Sequence, residues 1–309
     1  SGETFIRRRL TAESQGEFSV FPELRASGMT DYLAVVNRFA TEAAIGDMDG
    51  IYSSWTTDKP AGFTDKDIAD ICKLAPLLAL TIKAVSLTRI AETLVQTYLG
   101  RDAGKRVLEG RISRGVAEQI DAAIWFSDLR GYTRMADTAK PVEIIPLLNE
   151  YADAVISAIH EHGGDVLKLM GDGVLAIFTA AERSAACEAA LSAAVDAPRR
   201  IAAVNGRRAA ERRPTTELYL GLHIGEVFFG NIGSKDRLDF TIVGPAVNEV
   251  SRIASLCRSV DQPLLVSSAF AAALGASRGR LVSVGRYALR GVSRPQDLFT
   301  LVSEIDEGQ

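Results

Sequence analysis

The chain has 309 residues, of which 47% are hydrophobic, so it can bury a sizeable core and predicts two domains. Its net charge of −4 gives no general affinity for nucleic acid or for an anionic membrane surface. The cysteines (Cys72, Cys187 and Cys257) match no zinc or disulfide framework. They fit a reducing compartment, and we expect a cytoplasmic protein.

No apolar run in the sequence is long enough to cross a bilayer. The longest, residues 74–82, lies between Lys73 and Lys83 and is far shorter than the roughly 18 residues required. We find no signal peptide, and the chain begins Ser1-Gly2 without a methionine. We therefore expect no membrane segment in this chain, although a full-length protein could carry one outside it.

Residues 1–66 predict a partial α/β domain. Strand-like segments cover residues 32–36 and 50–55, and Thr64 to Asp67 has the pattern of a capping box that opens a helix. Residues 54–64 resemble the closing strand and turn of GAF-type sensor domains. The resemblance covers about half of such a domain, and it favours a scaffold or dimerisation piece over a ligand pocket.

Residues 67–118 predict a helical connector and linker. Apolar residues recur at helical spacing from Ile68 to Leu99, and Pro76 is expected to kink or interrupt the first half. The apolar stripe over residues 81–99 either pairs with a second copy of the chain or packs on its own domain. Residues 110–118 have the composition of a polar linker.

Residues 119–304 predict a second α/β domain. Its first six elements are strand, helix, strand, strand, helix and strand, which is the ferredoxin-like order βαββαβ. We place the four strands at residues 122–127, 165–170, 174–178 and 218–224. The two helices run from 141 to the stop at Gly163-Gly164 and over 181–204. Asp172-Gly173 is the expected hairpin between the second and third strands. Another strand from residue 227, a helix over 246–256, a strand at 264–266 and a hairpin over 281–302 follow. Arginines at 207, 208, 212 and 213 are interpreted as a solvated loop.

Two aspartates stand at strand ends of this predicted sheet. Asp128 closes the first strand, and Asp172 lies in the hairpin between the second and third. Because the first and third strands are neighbours in this order, both carboxylates are expected at one sheet edge, where a cation would offset their charge. The alternative is that each aspartate caps a turn.

Three segments of the domain resemble the signature blocks of class III nucleotidyl cyclases, and the likeness extends over residues 120–302. The blocks are residues 126–133 (Phe-Ser-Asp-Leu-Arg-Gly-Tyr-Thr), 168–173 (Lys-Leu-Met-Gly-Asp-Gly) and 240–252 (Phe-Thr-Ile-Val-Gly-Pro-Ala-Val-Asn-Glu-Val-Ser-Arg). Tyr132 and Pro245 are mild departures that leave the ligating groups intact.

The resemblance assigns the first two blocks to metal and phosphate. It implies that Asp128 and Asp172 hold two Mg²⁺ or Mn²⁺ ions, with the backbone carbonyl of Leu129 as a further ligand. The turn of Gly131, Tyr132 and Thr133 would cradle the triphosphate.

The resemblance assigns transition-state roles to the third block. Asn248 and Arg252 are four residues apart and so share a helix face. The family pattern gives Asn248 the ribose oxygen and Arg252 the developing phosphorane charge, which suits a guanidinium. Without the motif, both would be interpreted as solvated surface. Arg290 matches a triphosphate-binding position more loosely.

The nucleotide base is assigned to Lys168 and Thr241. Lysine only donates hydrogen bonds, which suits N1 of adenine, and a threonine hydroxyl can accept from the N6 amino group. Guanine presents N1–H and O6 instead, and this mismatch discriminates strongly. In the family, Lys with Asp or Thr marks adenylate cyclases, and Glu with Cys marks guanylate cyclases.

We therefore expect an adenylate cyclase that converts ATP to 3′,5′-cyclic AMP and pyrophosphate by two-metal-ion catalysis. The family forms its active site between two catalytic domains. One domain gives both aspartates, and the other gives Lys168, Thr241, Asn248 and Arg252. A head-to-tail homodimer follows. The alternatives are a guanylate cyclase and a non-catalytic cyclase-homology module.

Overall fold

The computed structural model describes residues 5–11, 18–39, 50–111, 113, 115, 117–234, 236–292 and 295–302. The chain divides into two compact units, Ser1–Leu94 and Val95–Gln309. The boundary falls inside one helix, and the three-part division expected from the sequence stays a prediction. In the part of the chain described here, no helix is both long and apolar enough to cross a membrane.

The first unit contains a three-stranded antiparallel sheet in the order β1-β2-β3. Both predicted strands are confirmed, whereas the first strand and a short helix were not predicted. The resemblance to a sensor domain stays a prediction. The elements are β1 (Phe5–Arg9), α1 (Phe21–Ala26), β2 (Asp31–Arg38) and β3 (Gly50–Thr57).

The long helix α2 (Asp65–Leu99) begins with the predicted capping box. The Thr64 amide donates to the Asp67 carboxylate at 2.9 Å, and the Asp67 amide donates to the Thr64 hydroxyl at 3.1 Å. The helix is not interrupted at Pro76, because the missing N–H costs one bond while the flanking turns keep theirs. Whether α2 pairs with a second copy stays a prediction.

The second unit is built on one eight-stranded sheet in the order β10-β11-β9-β7-β4-β6-β5, with β8 paired to β7. Its strands are β4 (Ala117–Leu129), β5 (Asp165–Met170), β6 (Gly173–Phe178), β7 (Leu218–Gly233), β8 (Leu238–Val243), β9 (Leu264–Ser267), β10 (Leu281–Tyr287) and β11 (Gln296–Leu301). Its helices are α3 (Arg101–Leu108), α4 (Tyr132–Thr138), α5 (Pro141–Glu161), α6 (Arg183–Ala210), α7 (Pro245–Val260) and α8 (Ser268–Ala273), with a short 3₁₀ helix at Ala276–Arg280.

The ferredoxin-like order is confirmed. The succession β4-α5-β5-β6-α6-β7 forms four antiparallel neighbours in the order β7-β4-β6-β5. One prediction is wrong: residues 218–224 and the strand from 227 are a single strand, β7, that passes through Gly225. Continuous pairing with β4, from Ala117 to Leu129, holds the glycine in the strand.

Helices cover both faces of the sheet. Alternate residues of β4 point to opposite sides: Ala123 and Trp125 pack with α5 and α6, whereas Ala122 and Ile124 pack with α7. Helix α7 lies directly on β7, because a Cβ added at Gly221 would meet backbone atoms of α7 at 2.8 Å. By the same alternation, Asp128 points to the face that carries α7.

Candidate active site

The end of β4 and the β5–β6 hairpin bring Asp128 and Asp172 together. The Leu129 amide donates to Oδ1 of Asp128 at 3.1 Å and to Oδ2 of Asp172 at 3.2 Å. The expected meeting of the two carboxylates is thus present. The hairpin turn itself differs from the prediction: it consists of Gly171 and Asp172, because Met170 pairs with Gly173, which already belongs to β6.

The two carboxylates repel each other. Asp128 is exposed, yet partial desolvation, hydrogen bonding with Asp172 and repulsion by its charge raise the pKa of Asp128 to about 7. The Leu129 amide acts in the opposite direction and offsets only part of this. A pair of like charges this close is the electrostatic environment that a bound cation relieves.

The backbone carbonyl of Leu129 offers a third oxygen ligand for a metal ion. The Arg130 amide donates to the Glu217 carbonyl at 2.8 Å, so Leu129 and Leu218 form a pair without mutual hydrogen bonds. Both polar backbone groups of Leu129 therefore point away from β7, toward Asp172. The described residues hold no cluster of three or more His, Cys, Asp or Glu side chains suited to a metal. Two carboxylates and one carbonyl fit hard ions such as Mg²⁺ or Mn²⁺, which keep water and phosphate as further ligands.

A cavity of about 300 Å³ lies beside the aspartate pair. Gly131, with φ of 72°, precedes α4, whose first turn contains Tyr132 and Thr133. The first amides of a helix lack partners within it and so can face an anion. The cavity is lined by Phe126, Asp128, Leu129, Gly131, Tyr132, Thr133, Arg134, Asp172, Tyr219, Ala254, Ser255 and Arg258.

Lys168 and Thr241 lie on neighbouring parts of one surface. Lys168, on β5, forms an ion pair with Asp239 of β8, and both side chains are a little under half exposed. Asp239 and Thr241 are two residues apart in one strand and so share a face. The sequence prediction missed Asp239, although its period-2 spacing from Thr241 was the available signal.

Asn248 and Arg252 lie on α7, as predicted. Asn248 is exposed and Arg252 is partly buried. The Arg252 guanidinium rests on Gly291: a Cβ at that glycine would lie 2.6 Å from Nη1 of Arg252. Since Arg290 precedes Gly291, Arg252 and Arg290 belong to the same part of the surface.

The first turn of α7 and the aspartate pair lie apart within one chain. Helix α7 runs antiparallel to β7, with Ala246 beside Gly225 and Ala254 beside Gly221. In the ladder, Gly225 pairs with Ala122 of β4, six residues before Asp128. The first turn of α7 is thus about 20 Å along the strand from Asp128. The residues that line the cavity beside Asp128 do not include Lys168, Thr241, Asn248, Arg252 or Arg290.

A buried polar network supports the loop after Asp128. The Thr216 hydroxyl donates to the Arg130 carbonyl at 2.6 Å, and the Thr216 amide donates to the Tyr151 hydroxyl at 3.0 Å. Arg208 donates to the Pro214 carbonyl at 2.7 Å and to Glu150 at 3.0 Å. The interpretation of Arg208 as solvated is wrong: it is fully buried at the end of α6, which extends further than predicted.

Comparison with known proteins identifies the family. The profile of the adenylate and guanylate cyclase catalytic domain matches residues 116–303. The chain belongs to this family. Two uncharacterized proteins of Mycobacterium tuberculosis, from strains H37Rv and CDC 1551, are 31% and 32% identical to this cyclase-family chain over 205 and 202 residues. Each match covers 65% of this chain, but only 37% and 35% of those proteins, so the chain spans about a third of their length.

Solved structures of class III cyclases share the fold. The guanylyl cyclase Cya2 is 28% identical, with 61% of this chain and 95% of that chain covered and a TM-score of 0.53. The adenylyl cyclase CyaB from P. aeruginosa is 23% identical over 61% of this chain and 97% of its own, with a TM-score of 0.56. A bacterial light-regulated adenylyl cyclase is 20% identical, with 74% of this chain and 64% of that chain covered and a TM-score of 0.62. The resemblance to class III nucleotidyl cyclases is therefore confirmed, with relatives of both base specificities.

Proposed function

We propose that this cyclase-family chain is an adenylate cyclase that converts ATP to 3′,5′-cyclic AMP and pyrophosphate, with each active site shared by two copies. One observation carries the proposal. Two carboxylates of the kind that bind metal ions lie beside a cavity, while the residues suited to base and transition state do not line that cavity. A head-to-tail pair of copies would bring the two sets of residues together twice.

Exposed apolar side chains support a partner on the surface of Lys168 and Thr241. Met170, which shares the Lys168 face of β5, is 37% exposed, and Phe228 and Val243 are 50% and 43% exposed. Val243 shares the Thr241 face of β8, and Phe228 is its neighbour on β7. A second copy of the catalytic domain would bury these side chains while delivering its own aspartate pair.

The reaction is an in-line attack of the ribose 3′-oxygen on the α-phosphorus, with cleavage of the bond to the pyrophosphate group. Two Mg²⁺ or Mn²⁺ ions held by Asp128, Asp172 and the Leu129 carbonyl would lower the pKa of the 3′-hydroxyl and neutralise phosphate charge. The amides of the Gly131–Thr133 turn bind the triphosphate. From the second copy, Asn248 orients the ribose, Arg252 stabilises the phosphorane charge and Arg290 contacts the phosphates.

Adenine is selected by Lys168 and Thr241. The Lys168 ammonium donates to N1 of adenine, and the Thr241 hydroxyl accepts from the N6 amino group. Guanine would turn its N1–H toward the ammonium, which leaves both donors unpaired. The ion pair with Asp239 supports this role, because it holds the Lys168 ammonium beside the β8 face that carries Thr241.

A guanylate cyclase is the second candidate. The observation in its favour is the 28% identity to the guanylyl cyclase Cya2. Against it stands the Lys168–Thr241 pair, where the guanylate pattern has Glu and Cys. A non-catalytic module is disfavoured, because Asp128, Asp172, Lys168, Thr241, Asn248 and Arg252 are all present.

A base-specificity swap tests the proposal. With Mn²⁺ present, the wild-type chain is expected to prefer ATP over GTP in kcat/KM by about a hundredfold or more. The double variant Lys168→Glu, Thr241→Cys should lower this ratio at least about tenfold. Lys105→Glu, an exposed lysine on α3, is the matched charge control and should leave the ratio unchanged. Comparable wild-type rates with ATP and GTP would overturn the adenylate assignment.

A further inference from the structure

We propose that Arg258 binds the β- or γ-phosphate of the nucleotide in the same half-site as Asp128, so that one helix, α7, serves two active sites. The proposal rests on the proposed cyclase function and deepens it. The first half of α7 carries Asn248 and Arg252 for the site of the partner copy. The last turn carries Arg258 for the site of its own copy.

Arg258 is placed at the triphosphate side of the cavity. It lines the 300 Å³ cavity together with Asp128, Asp172 and the Gly131–Thr133 turn. It also lines an adjoining cavity of about 570 Å³, which shares Gly131 and Tyr219 with the first. A chain of phosphates that starts at the aspartate pair can therefore extend past Arg258 from one cavity into the next.

The direction of α7 makes this possible. The helix packs on the sheet face to which Asp128 points, and its C-terminal turns approach the end of β4. Arg258 follows Arg252 by six residues, which is about 9 Å along the axis and about 240° around it. The two arginines therefore point to different surfaces of the domain. This is what we expect if each arginine contributes to a different active site.

The charge of the substrate calls for another cation. A triphosphate carries about four negative charges, and two divalent cations bound to two carboxylates offset only about two of them. A guanidinium can meet two phosphate oxygens at once through paired N–H donors. Besides the backbone amides of the turn, the cavity lining holds Arg134, which already has an interaction within the chain, so Arg258 adds a positive charge that the turn lacks.

Arg258 is available for this task, whereas Arg130 is engaged. Arg130 pairs with Glu217 at 2.6 Å and lies 3.9 Å from Asp261, and its guanidinium is 5.7 Å from the Tyr219 ring centre. Among the residues that the structure describes, Arg258 has neither a hydrogen bond nor an ion pair. The competing interpretation is that Arg258 only complements the negative end of the α7 dipole.

A binding experiment separates the two interpretations. Inorganic tripolyphosphate is titrated into the purified chain with Mn²⁺, and affinity is measured by calorimetry. Arg258→Gln should weaken tripolyphosphate binding about ten- to hundredfold and leave the melting temperature unchanged. Arg258→Lys should lose less affinity than Arg258→Gln. Arg199→Gln, an exposed arginine on α6, is the matched control. Unchanged affinity of the folded Arg258→Gln chain would overturn the proposal.

Mixed dimers test on which side of the shared site Arg258 acts. Arg258→Gln mixed with Arg252→Ala should regain cyclase activity, because one of the two sites then receives an intact set of residues. Arg258→Gln mixed with Asp128→Ala should show no gain over the reduced activity of the Arg258→Gln chain alone, because neither site has an intact aspartate side. The reverse pattern would place Arg258 in the partner's half-site and overturn the assignment.

A third mixture keeps the two proposals distinguishable. Asp128→Ala mixed with Arg252→Ala involves no change at Arg258 and should regain activity if sites are shared. Failure of this mixture alone would reject the shared-site function, while the tripolyphosphate titration would still decide the role of Arg258.

Discussion

The guanidinium of Arg252 lies against a neighbouring glycine. Gly291 has φ of 75°, which favours glycine, and a side chain there would lie 2.6 Å from Nη1 of Arg252. The contact joins the β10–β11 connection to α7. A residue proposed to meet the transition state is thus positioned by backbone from another part of the domain.

Gly291→Ala is expected to displace Arg252 and to lower kcat about ten- to hundredfold, with a smaller change in KM. Gly163→Ala is the matched control, because Gly163 has φ of 79° but open space around its Cα. Steady-state kinetics of both variants check this prediction. Equal losses of kcat would show that backbone strain, rather than the contact with Arg252, causes the effect.

Asp128 links the candidate metal site to stability. In the metal-free protein, the raised pKa of about 7 means that the folded state binds the proton more tightly than the unfolded state. The charge at Asp128 therefore costs stability that grows as the pH rises from about 4 to about 7 and is fully present above it.

Asp128→Asn should remove this cost and also remove a metal ligand. The variant is expected to melt higher than wild type at pH 8 without metal, and the difference should shrink toward pH 5. Mn²⁺ should raise the melting temperature of the wild type more than that of the variant. Asp137→Asn on α4 is the matched control. A melting-temperature difference that does not vary with pH would contradict the conclusion that Asp128 and Asp172 repel each other.

Residues inside the signature motifs could be predicted, and residues outside them could not. Asp128 and Asp172 follow from strand order and hairpin spacing, and their meeting at the Leu129 amide is confirmed. Asp239 and Arg258 escaped prediction because their importance depends on contacts between elements. Spacing alone does not say which strand Lys168 meets or toward which strand end α7 runs.

At the scale of elements, α7 carries the residues proposed for both halves of the site. Its seat on β7 requires Gly221, because a Cβ there would lie 2.8 Å from the Ala254 amide nitrogen and the Val250 carbonyl oxygen. Displacement of this helix would move Arg252 and Arg258 together.

Gly221→Ala is expected to lower the free energy of unfolding by about 1–3 kcal/mol through overpacking and to lower activity. Gly206→Ala, in the interior of α6 with open space around it, should instead stabilise the protein by about 0.5–1 kcal/mol. Urea denaturation of both variants measures the two effects. Similar stability for the two variants would contradict the close packing of α7 on β7.

The order of elements could be predicted better than their lengths. Helix α5 begins at the predicted Pro141, and β5 has the predicted bounds, because proline, glycine and alternation mark these ends in the sequence itself. The extent of β7 could not be predicted, since pairing with β4 carries the strand through Gly225. Helix α4 was also missed, because its first two residues, Tyr132 and Thr133, belong to the motif interpreted as a turn.

At the scale of the whole molecule, the proposed function gives one chain two incomplete sites. The aspartate pair and its cavity lie at one end of β4, and the residues proposed for base and transition state do not line that cavity. The chain matches only about a third of the length of its mycobacterial relatives.

The central claim is that two copies of this chain complete each other's sites and make cyclic AMP. Asp128→Ala and Arg252→Ala are purified separately, mixed, and incubated with ATP and Mn²⁺, and the product is identified by mass spectrometry. Each variant alone should be inactive, and the mixture should form 3′,5′-cyclic AMP at up to about a quarter of the wild-type rate, because half of the dimers are mixed and each has one intact site. A mixture as inactive as its components would contradict the account.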